Sequence, residues 1–257
     1  MSTGDGVSVV IPTLNCGNLL PRCLESVKWA DEIIIVDMGS TDDTVKIARQ
    51  YTRKVYFQKF PKDGNFDWNR YYGMKLAKNE WILKLDCDEE LTTELQEEIK
   101  QFVKQKHSDS IGGLYLKNNI YFFGRRVKHG PVKSNSGELR LVRQSVWKYN
   151  QSRYHQQISV SGKVFVSNNY YNHFNYRSVK EFIDKTNKYT ELDSKVLSLY
   201  KKYTKSRVIV SFPLTFIKLY IIQRGFLDGK LGIVTCFLYS LYYLVEKIKV
   251  LERVKDL

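Results

Sequence analysis

The chain is short of three things that would have narrowed its chemistry at once. Its 257 residues hold four cysteines, Cys16, Cys23, Cys87 and Cys236, none in CxxC spacing. That excludes a zinc knuckle and a disulfide framework and fits a reducing, cytosolic setting. Acid is scarce, with 27 Asp+Glu against 41 Lys+Arg and a formal net charge of +14. A chain so basic is expected to meet something anionic: nucleic acid, an acidic membrane or a phosphorylated substrate. Long apolar runs are missing as well. The longest uncharged stretch in the C-terminal third, "LGIVTCFLYSLYYLV", is 15 residues, short of the roughly 20 that a spanning helix needs. No basic segment followed by an apolar run opens the chain, so no signal peptide is expected. Repeats and low-complexity linkers are absent, and 43% hydrophobic with 26% charged residues excludes a disordered chain.

What is present is a rhythm. "VSVVIP" and "DEIIIVD" are short β-branched runs suited to buried parallel strands, and "KVYFQKF" and "EWILKLD" follow as a third and fourth. Helical spacing fills the gaps in "CGNLLPRCLESVKWA", "GSTDDTVKIARQYT" and "WNRYYGMKLAKN". Strand and helix in alternation predict an α/β sheet. "LTTELQEEIKQFVKQ" is a capped amphipathic helix. From about residue 111 the pattern changes to strands joined by polar loops, in "GGLYLKNNIYFFG", "GELRLVRQSVWKY" and "ISVSGKVFVSNNYYNHF", and from about Ser178 it becomes helical.

Against this basic background "WILKLDCDEEL" runs a strand straight into Asp86, Asp88, Glu89 and Glu90. Carboxylates so close repel one another unless a positive charge sits among them. Two readings are open: acids at a helix start, meeting its macrodipole, or a site for a hard divalent cation, Mg²⁺ or Mn²⁺. Pro12, Thr13 and Asn15, then Asp37, then Asp86 and Asp88 all fall at predicted strand ends, where open parallel sheets bind ligands. Three polar clusters on one edge favour the second reading, in which the cation neutralises the acids.

The ordered set "VSVVIPTLNCGNLLPRCLESV", "IIIVDMGSTDDT" and "WILKLDCDEEL" resembles the opening, second strand and DxD motif of inverting family-2 glycosyltransferases. The fold such a resemblance implies is GT-A, an α/β Rossmann-like nucleotide-sugar-binding mixed sheet flanked by helices. "GELRLVRQSVW", "HFNYRSVKEFIDKTNKYT" and "RGFLDGKLG" are similar to later motifs of the lipopolysaccharide core heptose β-glucosyltransferase subgroup. The resemblance implies that Pro12, Thr13 and Asn15 line a nucleotide cleft and that Asp37 reads the base edge, usually uracil. Asp86 would face the ribose. Asp88 would bind Mn²⁺ or Mg²⁺ at the donor diphosphate, with His173 as a late ligand. In "RYYGMKLA", Arg70 keeps the family's Arg and would pair with the diphosphate, whereas Tyr71 stands where Asn is usual.

An inverting transfer needs a base for the acceptor hydroxyl. The subgroup carries His-Glu near "YHQQI", but this chain reads His155-Gln156, and an amide cannot accept that proton. Three readings stand open: His155 is the base, Glu138 or Glu89 substitutes, or the chain holds donor without turnover. The bland alternatives are a Glu138 paired with Arg140 or Arg143 on a sheet surface and a structural His173.

From residue 201 onward, eleven Lys/Arg face four Asp/Glu among Phe, Tyr, Leu and Ile. An interfacial helix or helical hairpin on an anionic membrane surface fits this composition. A core helix or a homodimer interface is the alternative. The expected organisation is a catalytic domain over 1–177, divided into a donor half (1–110) and an acceptor half (111–177), followed by a helical, membrane-associating extension over 178–257. The expected activity is metal-dependent hexose transfer from a nucleotide-sugar donor to a saccharide or glycolipid acceptor, on the cytoplasmic face of a membrane. Nucleic acid is not an expected partner, since no recognised reading motif is present.

Overall fold

The computed structural model describes residues 4–59, 66–105, 111–132, 137–150, 157–200 and 203–254. His155 and Gln156 lie outside them. The chain divides into two compact units, Met1–Asn118 with Asn135–His173, and Asn119–Ser134 with Phe174–Leu257.

The first unit is built on a twisted row of strands. β1 (Gly4–Thr13) pairs in parallel with β2 (Glu32–Asp37) on one side and β4 (Asn79–Lys84) on the other, and β2 pairs in parallel with β3 (Val55–Phe57). The β-branched runs expected as strands are these strands. β8 (Glu138–Arg143) then joins β4 antiparallel, and β6 (Ile111–Phe122) joins β8 antiparallel. Next come β11 (Lys163–Tyr176) and the short β5 (Glu89–Leu91). The sheet is thus parallel where the sequence alternates strand and helix, and antiparallel after that. A separate hairpin pairs β9 (Trp147–Asn150) with β10 (Gln157–Val160).

Successive side chains on a strand point to opposite faces, so β1 supplies two cores. Val7, Val9 and Ile11 pack on one face with Leu20 and Leu24 of α1 (Leu20–Glu25), Ala48 of α2 (Thr44–Tyr51), and Leu95 and Ile99 of α4 (Thr93–Lys104). Val10 joins Ile34, Val36 and Ile82 on the other face, under Met74 and Ala77 near the end of α3 (Phe66–Leu76). Each aliphatic side chain so buried contributes about 1.5–3 kcal/mol. α1 is shorter than the periodicity suggests: turns follow from Ser26. α4 starts where expected, because Thr92 Oγ1 accepts from the Leu95 amide at 3.3 Å.

The second unit gathers Phe122 of β6, Val127 of β7 (Arg125–Val127), Tyr176, Phe182 of α5 (Val179–Leu197) and Leu238 of α7 (Gly229–Arg253) into one core. Its rings meet at 4.9 Å for Phe122–Tyr176 and for Tyr176–Phe182. α6 (Lys205–Ile217) continues into a π-helical turn over Lys218–Ile222, and a 3₁₀ turn over Gly225–Asp228 leads into α7.

α3 lies close on the sheet because residue 73 has no side chain. A Cβ there would sit 2.5 Å from Val10 Cγ1 and 2.8 Å from Val36 Cγ2, both short buried side chains. Gly73→Ala should lower stability by about 1–3 kcal/mol through overpacking, more than the roughly 0.5–1 kcal/mol that alanine gains in a helix. A fall in the urea midpoint is the expected reading.

Candidate active site

The carboxyl ends of β1 and β2 carry two loops that are laced together. Asp37 Oδ2 accepts from the amides of Gly39 and Ser40, each at 2.9 Å, while Oδ1 accepts from Thr13 Oγ1 at 3.0 Å and Ser40 Oγ at 2.6 Å. A carboxylate offers about four acceptor sites, so the buried Asp37 spends its capacity on shaping this turn. Pro12 pairs beside Val36 at the end of β1. Asn15 sits just beyond with φ 50°, its amide donating to Ser40 Oγ at 2.9 Å and its Oδ1 accepting from the Thr41 amide at 2.8 Å. Asp42 repeats the device one turn on, taking the Gly17 amide at 3.0 Å. Ser40, Thr41 and Asp42 belong to the "GSTDDT" stretch that signalled only a helix start in the sequence.

The acidic knot lies at the end of β4, and its acids do not begin a helix. Asp86–Asp88 form a turn, and Glu89–Leu91 become β5 because Glu89 and Leu91 are buried against β11. Register there places His173 opposite Glu89 and Asn172 opposite Glu90. The Glu89 amide donates to Asp86 O at 3.0 Å, and Glu89 Oε2 accepts from the Asp86 amide at 2.8 Å, closing the turn.

Positive charge enters this turn from side chains. Arg70, on α3, reaches Asp86 Oδ1 with Nη2 at 2.5 Å. Arg140, on β8, is only 4% exposed and is the residue that the sequence concealed. Its Nη2 lies 2.7 Å from Glu89 Oε1 and 2.9 Å from Glu138 Oε2, and its Nη1 lies 3.3 Å from Asp86 Oδ2. The guanidinium also rests 5.4 Å from the centroid of the Tyr171 ring. In the sequence Arg140 is one of two arginines in "ELRLVR", and alternation along a strand makes it a surface partner. Pairing of β8 with β4 turns it beneath Asp86 instead.

These contacts divide the acids into classes. Burial alone would raise Asp86, but the charges of Arg70 and Arg140 outweigh it and hold its carboxyl well below the usual carboxylate range. Burial, with the neighbouring charges of Asp86 and Asp88, pushes Glu89 up to about 7 against the pull of Arg140 and His173. Glu138 shares the Arg140 guanidinium, but its side chain is 58% exposed at the rim. His173 Nε2 faces Asp88 Oδ2 at 3.6 Å, and its Nδ1 is 3.9 Å from Glu89 Oε1. Burial disfavours charge on this imidazole, yet Asp88, Glu89 and Asp86 together raise it to about 9.

Arg70, Arg140 and His173 thus balance much of the knot without a metal. Asp88 and His173 are still a fitting pair for one. Two donors on a cation with bonds of about 2.0–2.2 Å lie roughly 3 Å apart, close to the separation found here. No group of three His, Cys, Asp or Glu suited to a metal occurs among the described residues, so an ion held by this pair would need further oxygens from a ligand or from water. A diphosphate is such a ligand.

The buried Arg140–Glu89 pair yields a stability test. Arg140→Met strands a buried carboxylate, and a loss of about 3–5 kcal/mol is expected in urea unfolding. Adding Glu89→Gln, which keeps an acceptor for the Asp86 amide but removes the charge, should restore much of that loss.

Comparison with known proteins places this geometry in context. The model of the family described as Glycosyl transferase family 2 matches residues 8–179. The chain is 29% identical over 256 residues to the lipopolysaccharide core biosynthesis glycosyltransferase LpsC of Rhizobium meliloti, a match spanning 96% of this chain and 92% of LpsC. An uncharacterized glycosyltransferase of Rickettsia typhi is 27% identical over 250 residues, 91% of this chain and 82% of that protein. Among solved structures, the mannosyltransferase PcManGT from Pyrobaculum calidifontis, in complex with GDP-Man and Mn²⁺, superposes with a TM-score of 0.53 at 11% identity, covering 98% of this chain and 89% of that one. At that identity the likeness speaks for the fold, which is GT-A.

Proposed function

The chain belongs to glycosyl transferase family 2, and from that premise we propose that it is an inverting hexosyltransferase. Its donor would be a nucleotide sugar, a UDP-sugar, and its acceptor a lipid-linked or phosphorylated saccharide in cell-surface glycan synthesis such as that of lipopolysaccharide core. The observation that carries the reading is the convergence of Asp86, Asp88, Arg70 and His173 at the carboxyl ends of the strands, beside the laced loops after β1 and β2. The likeness to LpsC supports the class of product, and the charge of +14 suits anionic substrates.

In this reading Asn15, exposed after β1, lines the nucleotide cleft, while Pro12 and Thr13, both buried, shape it from the end of β1. Asp37 acts through the turn it holds, on which the base rests. Asp86 faces the ribose and keeps the Arg70 guanidinium turned toward the diphosphate, whose oxygens suit a planar fork. Asp88 and His173 would hold Mn²⁺ or Mg²⁺, which when bound supplies countercharge to the leaving diphosphate. Glu138 takes the proton of the acceptor hydroxyl: it shares the Arg140 guanidinium with Glu89, but its carboxylate is exposed, whereas Glu89 is enclosed and also holds the Asp86 amide. The enzyme works as a peripheral protein at the cytoplasmic face of a membrane. Gln156 favours one competing reading, a transferase-like protein that binds donor without turnover.

A donor panel of UDP-glucose, UDP-galactose, UDP-N-acetylglucosamine and GDP-mannose with Mn²⁺ or Mg²⁺, followed by heat of binding and release of free nucleotide, separates the two. Metal-dependent binding with release is expected for a UDP-sugar. Asp88→Ala should abolish release; undiminished turnover would remove Asp88 from the reaction. Glu138→Gln should lower kcat about 10²–10⁴-fold with donor affinity retained. Binding without release for every donor, with release gained on Gln156→Glu, would establish the competing reading.

A further inference from the structure

α6 and the first turns of α7 expose an apolar face that is unsuited to water. On α6, Val208 and Ser211 turn inward, while Ile209, Val210, Leu214 and Ile217 are exposed, Ile209 to 74%. Exposure continues through Ile221 and Ile222 of the π turn, Phe226 and Leu227 of the 3₁₀ turn, and Ile233, Val234 and Phe237 of α7. The ring contact between Phe212 and Phe237, 5.3 Å between centroids, joins the two helices along this apolar strip. Three hydroxyls share the interior with Val208, Cys236 and Leu238. Ser211 donates to Val208 O, Thr235 to Gly232 O and Ser240 to Cys236 O, each buried and each satisfied within its own helix. Small residues inside and branched aliphatics outside suit a helix pair whose surroundings are apolar.

Charge says which apolar surroundings. From Thr204 to Val245 the chain carries five cations, Lys205, Arg207, Lys218, Arg224 and Lys230, and one acid. That acid, Asp228, is withdrawn: it accepts from the amides of Lys128 and His129, both at 2.8 Å, and faces His129 Nδ1 at 3.0 Å. All five cations are exposed. Branched aliphatic and aromatic side chains interleaved with lysine and arginine, with no exposed acid among them, match a lipid surface bearing negative headgroups.

By length and composition Gly225–Arg253 is able to cross a bilayer. The second half of α7 is tied to a polar neighbour, however. Tyr242 OH donates to Asp193 Oδ2 at 2.5 Å, Lys249 Nζ to Asn187 O at 2.8 Å, and Arg253 pairs with Glu191, all three partners on α5. A spanning α7 would carry those groups into hydrocarbon, so only its first turns are available to lipid.

We propose that the outer face of α6, the 218–228 corner and the first turns of α7 form a monotopic docking surface that enters the headgroup boundary of an anionic bilayer, with the five cations on lipid phosphates. The inference deepens the peripheral placement given above but does not depend on the transfer chemistry. The test is flotation of the full chain with vesicles of phosphatidylcholine alone or mixed with phosphatidylglycerol. UDP binding is measured in parallel, so that failure of the donor site shows separately. Flotation is expected with the anionic vesicles only, weakening as salt rises. Lys218→Ala and Lys230→Ala should each weaken it about fivefold. Leu214→Asp with Ile217→Asp should abolish it while the urea midpoint stays at or above that of the parent chain. Flotation that ignores lipid charge, or that survives the paired aspartates, overturns the proposal. So does a dimer seen by sedimentation equilibrium that the same aspartates dissociate, which would give this face to a second copy of the chain.

Discussion

The ion pair between Arg140 and Glu89 is the constraint from which the rest of the site follows. A guanidinium and a carboxylate cost several kcal/mol each to bury and repay it only with close geometry and further hydrogen bonds. Both conditions are met: the pair is 2.7 Å apart, Glu89 also accepts the Asp86 amide, and Arg140 lies against the Tyr171 ring. Two acids of the knot are thereby spoken for, since Asp86 shares Arg140 with Glu89 and takes Arg70 as well. Asp88 faces the His173 imidazole at 3.6 Å on the other side of the turn.

The first half of the sheet was legible because buried parallel strands write themselves as β-branched runs. "VSVVIP" and "DEIIIVD" admit few other readings, and their ends mark the ligand edge directly. Asp86 and Asp88 are visible to the same logic, whereas Arg70 and His173 are singled out only by the family resemblance; in the structure Arg70 pairs with Asp86 and His173 faces Asp88. Arg140 is not visible, since its burial depends on which strand lies beside β8, a long-range choice that alternation does not encode. For the same reason the neutralising charge was assigned in the sequence to a cation, whereas side chains from three separate elements supply much of it. β5 is three residues long and carries two acids, so no propensity argument marks it as a strand.

The C-terminal third shows the opposite relation between sequence and structure. Composition alone suggested an interface with something anionic, and the 15-residue uncharged run fell below a spanning length. What composition could not supply was direction. Ser211, Thr235 and Ser240 lie on the buried side with Val208 and Leu238, while Ile209, Ile217 and Ile233 are exposed.

The pairing of β5 with β11 has a consequence for how such a chain can vary. Strand register has a period of two, and a slip of one residue turns every side chain to the opposite face. Tyr171, Asn172 and His173 stand against Leu91, Glu90 and Glu89. A single-residue insertion between Ser167 and His173 would therefore put Asn172 in the place of the imidazole beside Asp88, a deletion would put Phe174 there, and either would send Tyr171 out from over Arg140. Length variation among homologues should spare this strand, so that indels rather than substitutions reveal which part of the antiparallel half belongs to the site.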